Sequence, residues 1–232
     1  MTTKKIEIPE SVNRFKLVGN LINLESDKAV IETVLSSMAT GKIYTDTYPI
    51  LIDDAVKAKL DGLEGTTVGI IGFVDHPAGS ANSHLVALDA KAQSNATHFN
   101  RLQFTGPVFG ADLMSRKEGK RQMGNVSLVI ASRMLNAVTW KGAVTILREE
   151  KVARNSVITV KGRVRIREYA SGADMVKTVE LTCDQSQDVT VHFVPPSTDE
   201  FTFDEVEAPK SAATASAPAS APAKRQTTRR AV

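Results

Sequence analysis

Gly65-Thr66-Thr67-Val68-Gly69-Ile70-Ile71-Gly72-Phe73-Val74 has a counterpart 90 residues downstream, Asn155-Ser156-Val157-Ile158-Thr159-Val160-Lys161-Gly162-Arg163-Val164. Both stretches open on turn-type residues, run through β-branched side chains and share a glycine at the eighth position. A second pair lies upstream of each. Phe15-Lys16-Leu17-Val18-Gly19-Asn20-Leu21 is an alternating apolar run built around a glycine, and Leu102-Gln103-Phe104-Thr105-Gly106-Pro107-Val108 repeats its shape 87 residues later. Two nearly equal offsets are the mark of a duplicated unit of about 90 residues. The copies are placed at residues 8–97 and 98–194.

Each copy reads as short strands separated by turn residues, with one helical stretch between them. Asp53-Asp54 can cap Ala55-Val56-Lys57-Ala58-Lys59-Leu60, where Val56 and Leu60 fall at i and i+4. The second copy offers only Glu149-Glu150-Lys151-Val152-Ala153, a single turn. Five strands, one helix and a glycine at each barrel bend predict an all-β chain of tandem OB-fold barrels.

The sequence of 232 residues carries 29 basic and 26 acidic side chains, a net of +3. That near-balance hides a segregation. Residues 1–97 sum to −3, residues 98–182 to +8 and residues 183–232 to −2. A +8 block between two mildly acidic ones is a candidate face for a polyanion. The single Cys183 excludes an internal disulfide framework and a thiolate zinc site. No apolar run approaches the ~20 residues that cross a bilayer, and the N-terminal stretch lacks a signal-peptide core. A soluble chain with no membrane partner, acting in the cytoplasm, is expected.

Beyond Pro195-Pro196 the composition changes, and 195–232 reads as a disordered tail. It opens acidic, with Phe201, Phe203, Asp204 and Glu205 as candidate partner-binding residues. It continues as an Ala/Ser/Pro/Thr linker and closes on the basic Lys224-Arg225-Gln226-Thr227-Thr228-Arg229-Arg230.

The second copy resembles the bacterial single-stranded-DNA-binding protein. The family's order is a first strand ending in glycine, a Ser-Leu-Ala-type strand, a Trp-led strand, a short helix, then a strand of the form Gly-Ser-x-Val running into Glu-Gly-x-Leu-x-x-Arg-x-Trp. Here these elements are matched by Phe104-Thr105-Gly106, Val126-Ser127-Leu128-Val129-Ile130-Ala131, the stretch from Trp140 to Ala153, and the stretch from Asn155 to Tyr169. The match spans about 80 residues. The first copy matches more weakly, with Tyr48 where the Trp-led strand begins. Because the usual family chain has one barrel, the resemblance implies a phage or mobile-element version with a fused duplicate. It also implies protection of single strands in replication, recombination or repair, in a bacterial or phage-infected cell, by a homo-oligomer, a dimer being favoured. The family's acidic tip recruits replication partners; here the acidic stretch is internal.

The residues can also be read without the family. Alternation from Val157 to Tyr169 puts Ile158, Val160, Val164 and Ile166 on one face, and Lys161, Arg163, Arg165, Arg167 and Tyr169 on the other. Four like charges along one face repel one another, and a phosphate backbone relieves that repulsion while releasing counterions. Tyr169 can stack on a base and stands where the family keeps a stacking tryptophan. Trp140 has apolar parity mates in Val138, Val144 and Ile146, which would bury it; the resemblance makes it a base-stacking residue instead. Arg116-Lys117-Glu118-Gly119-Lys120-Arg121 reads as a hairpin tip whose Arg116, Lys117, Lys120 and Arg121 clamp a strand. Arg133, Lys141, Arg148 and Arg154 add charge of undetermined direction. In the first copy the matching row is Ile71, Gly72, Phe73, Val74, Asp75 and His76, without the cations, so a scaffolding or oligomer-forming role is expected for it.

Catalytic and cofactor readings find little to stand on. His76, His84, His98 and His192 are scattered without metal-ligand spacing, and Gly119-Lys120 lacks the glycine and hydroxyl residue of a phosphate loop. Neither an enzyme, a metal nor a cofactor is expected. The function expected is sequence-independent single-stranded-DNA binding. The alternatives are an OB-fold protein-interaction or assembly module that does not bind a strand, and an RNA or duplex-DNA binder.

Overall fold

Phe15, Leu17 and Leu21 are each almost fully buried, and their alternation makes Val12–Leu24 a strand, β1, with one face in a core. The computed structural model describes residues 8–36, 41–94, 96–113, 122–172 and 174–196. After β1 come β2 (Lys28–Ser36), β3 (Ile43–Leu51), α1 (Asp54–Leu60), β4 (Thr67–Asp75) and β5 (His84–Ala92). β1 pairs antiparallel with β2 and β2 with β3. β3 runs parallel to β5 at Ile50 and Leu51, β5 pairs with β4, and β4 returns to β1. The circuit of strands closes on itself.

A second circuit repeats this order. β6 (Phe99–Asp112), β7 (Met123–Ile130), β8 (Arg133–Trp140), α2 (Lys141–Glu149), β9 (Val157–Ser171) and β10 (Asp174–Cys183) follow in turn. β6 pairs with β7, β7 with β8, β8 in parallel with β10, β10 with β9, and β9 returns to β6. One parallel pair and one helix per circuit, between the third and fourth strands, give the OB topology twice. The strand β11 (Val189–Phe193), which the sequence pattern does not announce, adds to the edge of β9.

The repeated glycines mark the same bend in each barrel. A Cβ added to Gly72 would collide with the carbonyl oxygen of Val86 and the ring of Phe15; one added to Gly162 would collide with the carbonyl oxygen of Thr182 and the side chain of Leu181. Only glycine lets the fourth strand of each barrel come this close to the fifth.

The first helix forms as its sequence requires. The Asp53 carboxylate accepts the Val56 N–H at 2.8 Å, and Val56 and Leu60 are buried. The second helix corrects the reading of 140–153. Lys141–Glu149 is helical, with Ala143, Val144 and Leu147 buried at i, i+1 and i+4, and Glu149 to Ala153 only leaves it. Val144, Thr145 and Ile146 are β-branched and favour a strand, but the buried helical stripe prevails over that local preference. Trp140 moves with this correction: it ends β8 and precedes α2 instead of leading a strand.

The barrels are joined by backbone. Val12 to Val18 of β1 pair antiparallel with Thr105 to Phe99 of β6, so β5, β4, β1, β6, β9 and β11 form an unbroken run of strands. Further bonds also cross between the barrels. Arg133 bridges to Asp75 at 3.0 Å, and the His76 ring bonds the carbonyl oxygens of Met134 and Ser80 at 2.9 and 2.8 Å.

Gly162→Ala is expected to lower stability by about 1–3 kcal/mol through overpacking, whereas Gly110→Ala, which meets no atom within 4 Å, should be near neutral. Urea melts check this: the midpoint should fall for the first variant only, with the slope unchanged.

Candidate nucleic-acid interface

The cation row stands on β9, and the strand's alternation sets its direction. Val160 and Val164 are buried, Ile166 is half-buried, and Arg163, Arg165, Arg167 and Tyr169 are exposed, with Lys161 half-buried at the head of the row. From Arg163 onward β9 pairs only with β10, Arg163 facing Thr182 and Ser171 facing Asp174. The row thus leaves the barrel along one arm of a hairpin.

Acidic side chains touch part of the row. Arg163 lies 3.6 Å from Asp184 and Arg167 lies 3.5 Å from Glu180, each arginine side chain being 56% exposed. Lys161 and Arg165 make no ion pair among the described residues. The Arg163–Asp184 pair, open to water on both sides, contributes roughly 0–1 kcal/mol, so a polyanion can replace it at little cost, whereas Glu180 is 13% exposed and holds Arg167 more closely to the barrel.

Three of the four cations of undetermined direction are committed elsewhere. Arg133 holds Asp75, and the Arg148 guanidinium donates through Nε to the Leu113 carbonyl oxygen at 2.6 Å. Arg154 lies over the Phe109 ring at 5.0 Å. Lys141 is exposed at the start of α2, in a left-handed conformation with φ of 45°. The +8 of residues 98–182 is therefore less concentrated than the sequence implies.

Trp140 and Tyr169 do not share a strand. Trp140 is half-buried at the end of β8, opposite Met123; Tyr169 is 45% exposed on the β9 arm, opposite Val176. Trp140 is not buried by strand parity with Val144 and Ile146, because those residues are helical. Arg116, Lys117, Lys120 and Arg121 lie outside the described residues, between β6 and β7, and Phe201, Phe203, Asp204 and Glu205 also lie outside them.

A buried polar knot ties Tyr48 of the first barrel to Asn100 and the cation strand of the second. Asn100 Nδ2 donates to the Tyr48 hydroxyl at 2.6 Å and to the Val164 carbonyl oxygen at 3.1 Å, and Asn100 Oδ1 accepts the Val164 N–H at 2.8 Å. Burial, reinforced by the Asp46 carboxylate, pushes the Tyr48 phenol above its ordinary range, so it stays neutral. Beside this knot a groove of about 680 Å³ lies between β2–β3 and β9–β10, with Lys28, Thr47, Pro49, Arg165, Ile166 and Glu168 in its walls. Asn100 belongs to no motif of the sequence; its one signal there is an amide on the inward parity of an apolar strand.

His98, His192 and the buried Cys183 are engaged by the fold. His98 Nδ1 accepts the Val34 N–H at 2.8 Å, and His192 Nε2 bonds the Thr159 hydroxyl at 2.9 Å. Burial pushes the Cys183 thiol up to about 12, with Asp188 adding to the effect. No group of three or more potential metal ligands occurs among the described residues, and no helix there is long and apolar enough to cross a membrane.

No protein-family model matches the sequence, and no curated protein matches it. Solved structures do. The wild-type single-stranded DNA binding protein from Thermus aquaticus superposes with a TM-score of 0.62 at 11% identity, over 82% of this chain and 97% of that one. A deletion mutant of the same protein gives a TM-score of 0.57 at 12% identity, over 82% of this chain and 99% of that one. The chain therefore shares the OB-type fold of that protein across nearly the whole length of the latter.

Asn100→Ala would leave the Val164 N–H unpaired in the core at a cost of about 1–3 kcal/mol. Thermal and urea melts should show that loss, and a neutral result would mean that the knot does not hold β9.

Proposed function

We propose that this chain binds single-stranded DNA without sequence preference, laying phosphates along Lys161, Arg163, Arg165 and Arg167. The observation that carries the reading is this outward row on one strand of an OB barrel, in which Lys161 and Arg165 have no acidic partner among the described residues. It is supported by the fold's likeness to a protein named as a single-stranded DNA binder. Phosphate contacts by lysine and arginine are blind to sequence, and so is stacking on an aromatic ring. Tyr169 supplies a ring at the exposed end of the row, and Trp140 supplies a second on β8.

The role is binding, not catalysis, and its setting is the coating and protection of exposed strands during replication or recombination. Arg116, Lys117, Lys120 and Arg121 would clamp the strand from the β6–β7 connection. The tail residues Phe201, Phe203, Asp204 and Glu205 would dock partner proteins.

Trp140 is the chain's single tryptophan, so its fluorescence gives a direct titration with oligo-dT. Quenching with steep loss of affinity at higher salt is expected, the slope of log K against log salt being about −0.7 per phosphate contact. Arg163→Gln with Arg165→Gln should reduce that slope by about 1.4 and weaken dT, dA and mixed sequences alike. Tyr169→Ala should cost about 1–3 kcal/mol of binding. Salt-insensitive binding, or none, sinks the reading; equal competition by duplex DNA or RNA would reassign the ligand.

A further inference from the structure

The connection from β10 to β11 runs from Asp184 to Asp188 and contains a single 3-10 turn, Ser186–Asp188. β10 pairs with β9 down to Arg163, and β11 pairs with β9 from Val160. The connection therefore passes β9 at Lys161 and Gly162, the head of the cation row. Its two carboxylates flank that point. Asp184 lies 3.6 Å from Arg163, and Asp188 lies 3.5 Å from Arg101 of β6. Arg101 precedes Leu102, which stands opposite Gly162, so Arg101, Lys161 and Arg163 gather around one glycine.

The connection is fastened in this position. The buried Cys183 thiol donates to the Gln185 carbonyl oxygen at 3.7 Å, and the Asp188 N–H donates to the same oxygen at 3.2 Å. Ser186 lies against the start of α2, where a Cβ added to Gly142 would come within 3.2 Å of its backbone nitrogen. Two carboxylates are thus held beside three cations, and Lys161 alone of the three makes no ion pair among the described residues. The arm of the row differs. Arg165 has no acidic partner among the described residues, and the acid on Arg167, Glu180, belongs to the β10 ladder itself.

We propose that Asp184 and Asp188 are a built-in competitor of the strand: their carboxylates hold Arg163 and Arg101 in the free protein, and phosphates must displace them on binding. The proposal rests on the strand binding proposed above and adds a limit on its affinity. A carboxylate and a phosphate offer arginine the same kind of charge-assisted acceptor, so one replaces the other without a change of contact type. The competitor covers only the head of the row. The strand therefore meets the arm first, from Arg165 to Tyr169, and gains the head by exchanging one anion for another. That exchange makes Arg163 a weaker contact than Arg165, although the two stand on the same side of one strand. Ion pairs this open hold back binding by a few-fold each.

The full-length chain is titrated with labelled oligo-dT of about 16 nucleotides, the upper site size of one OB barrel, and binding is followed by anisotropy. Asp184→Asn with Asp188→Asn should bind about 3- to 10-fold more tightly than the parent. Glu149→Gln with Glu150→Gln removes the same charge from the exposed end of α2 and should gain clearly less. Two cycles locate the effect: the gain from Asp184→Asn should vanish beside Arg163→Gln, and that from Asp188→Asn beside Arg101→Gln. A gain that survives loss of the arginine, a gain that the α2 variant matches, or no gain at all overturns the competitor and leaves the β9 reading standing. Absence of parent binding overturns both. Melting curves accompany each variant, and where one asparagine lowers the midpoint the other pair's cycle decides.

Discussion

The antiparallel ladder between Val12–Val18 and Phe99–Thr105 is the constraint on which the rest of the molecule depends. β1 uses one edge for β4 and shares the other between two partners: β2 takes Asn20 to Leu24, which leaves the edge from Val12 to Val18 open. β6 has the same difficulty, with β9 on one edge and β7 reaching only to Val108 on the other. Closing a five-stranded barrel therefore leaves half an edge of its long first strand unpaired. Backbone N–H and C=O groups left bare there would invite another chain. Duplication supplies the matching half-edge within one polypeptide.

Once those half-edges are joined, the orientation of the remaining contacts follows. The barrels cannot rotate about the junction without breaking the bond of Asn100 to Tyr48, the Arg133–Asp75 bridge or the bond of His76 to Met134. The same knot fixes the backbone of β9 where its cations begin to leave the barrel. Burial keeps Tyr48 a neutral phenol that accepts from Asn100. The polar core contact thereby positions the exposed charges without touching them.

Much of this is legible in the amino-acid pattern. Phe15-Lys16-Leu17 and Val164-Arg165-Ile166-Arg167 show their faces through period-two alternation, Asp53 announces its helix, and the paired glycines announce the duplication. The β1–β6 ladder is not legible, because backbone bonding leaves no pattern in side chains. The helix Lys141–Glu149 is hidden by β-branched residues whose local preference is overridden by burial of Ala143, Val144 and Leu147. Trp140 is displaced with it. Counting charge by segment hides Arg14 and Lys16, since they sit in a block that sums to −3 although both point the same way. The same count gives too much weight to Arg133, Arg148 and Arg154, because composition cannot tell a structural guanidinium from an exposed one.

The two copies have diverged at the place where their equivalence is easiest to see. Gly72 and Gly162 make the same bend, yet the flanking outward residues are Ile71 and Phe73 in one barrel and Lys161 and Arg163 in the other. Ile71 and Phe73 are half-buried, and Ile71 stands opposite Lys16, whose methylene stem can cover it while the ammonium stays in water. On the first barrel the outward cations of this face, Arg14 and Lys16, stand on β1 next to the junction and not on β4. The charge of both barrels therefore lies along a shared sheet. The continuity of that sheet requires the ladder between β1 and β6, the interaction that composition and spacing reveal least.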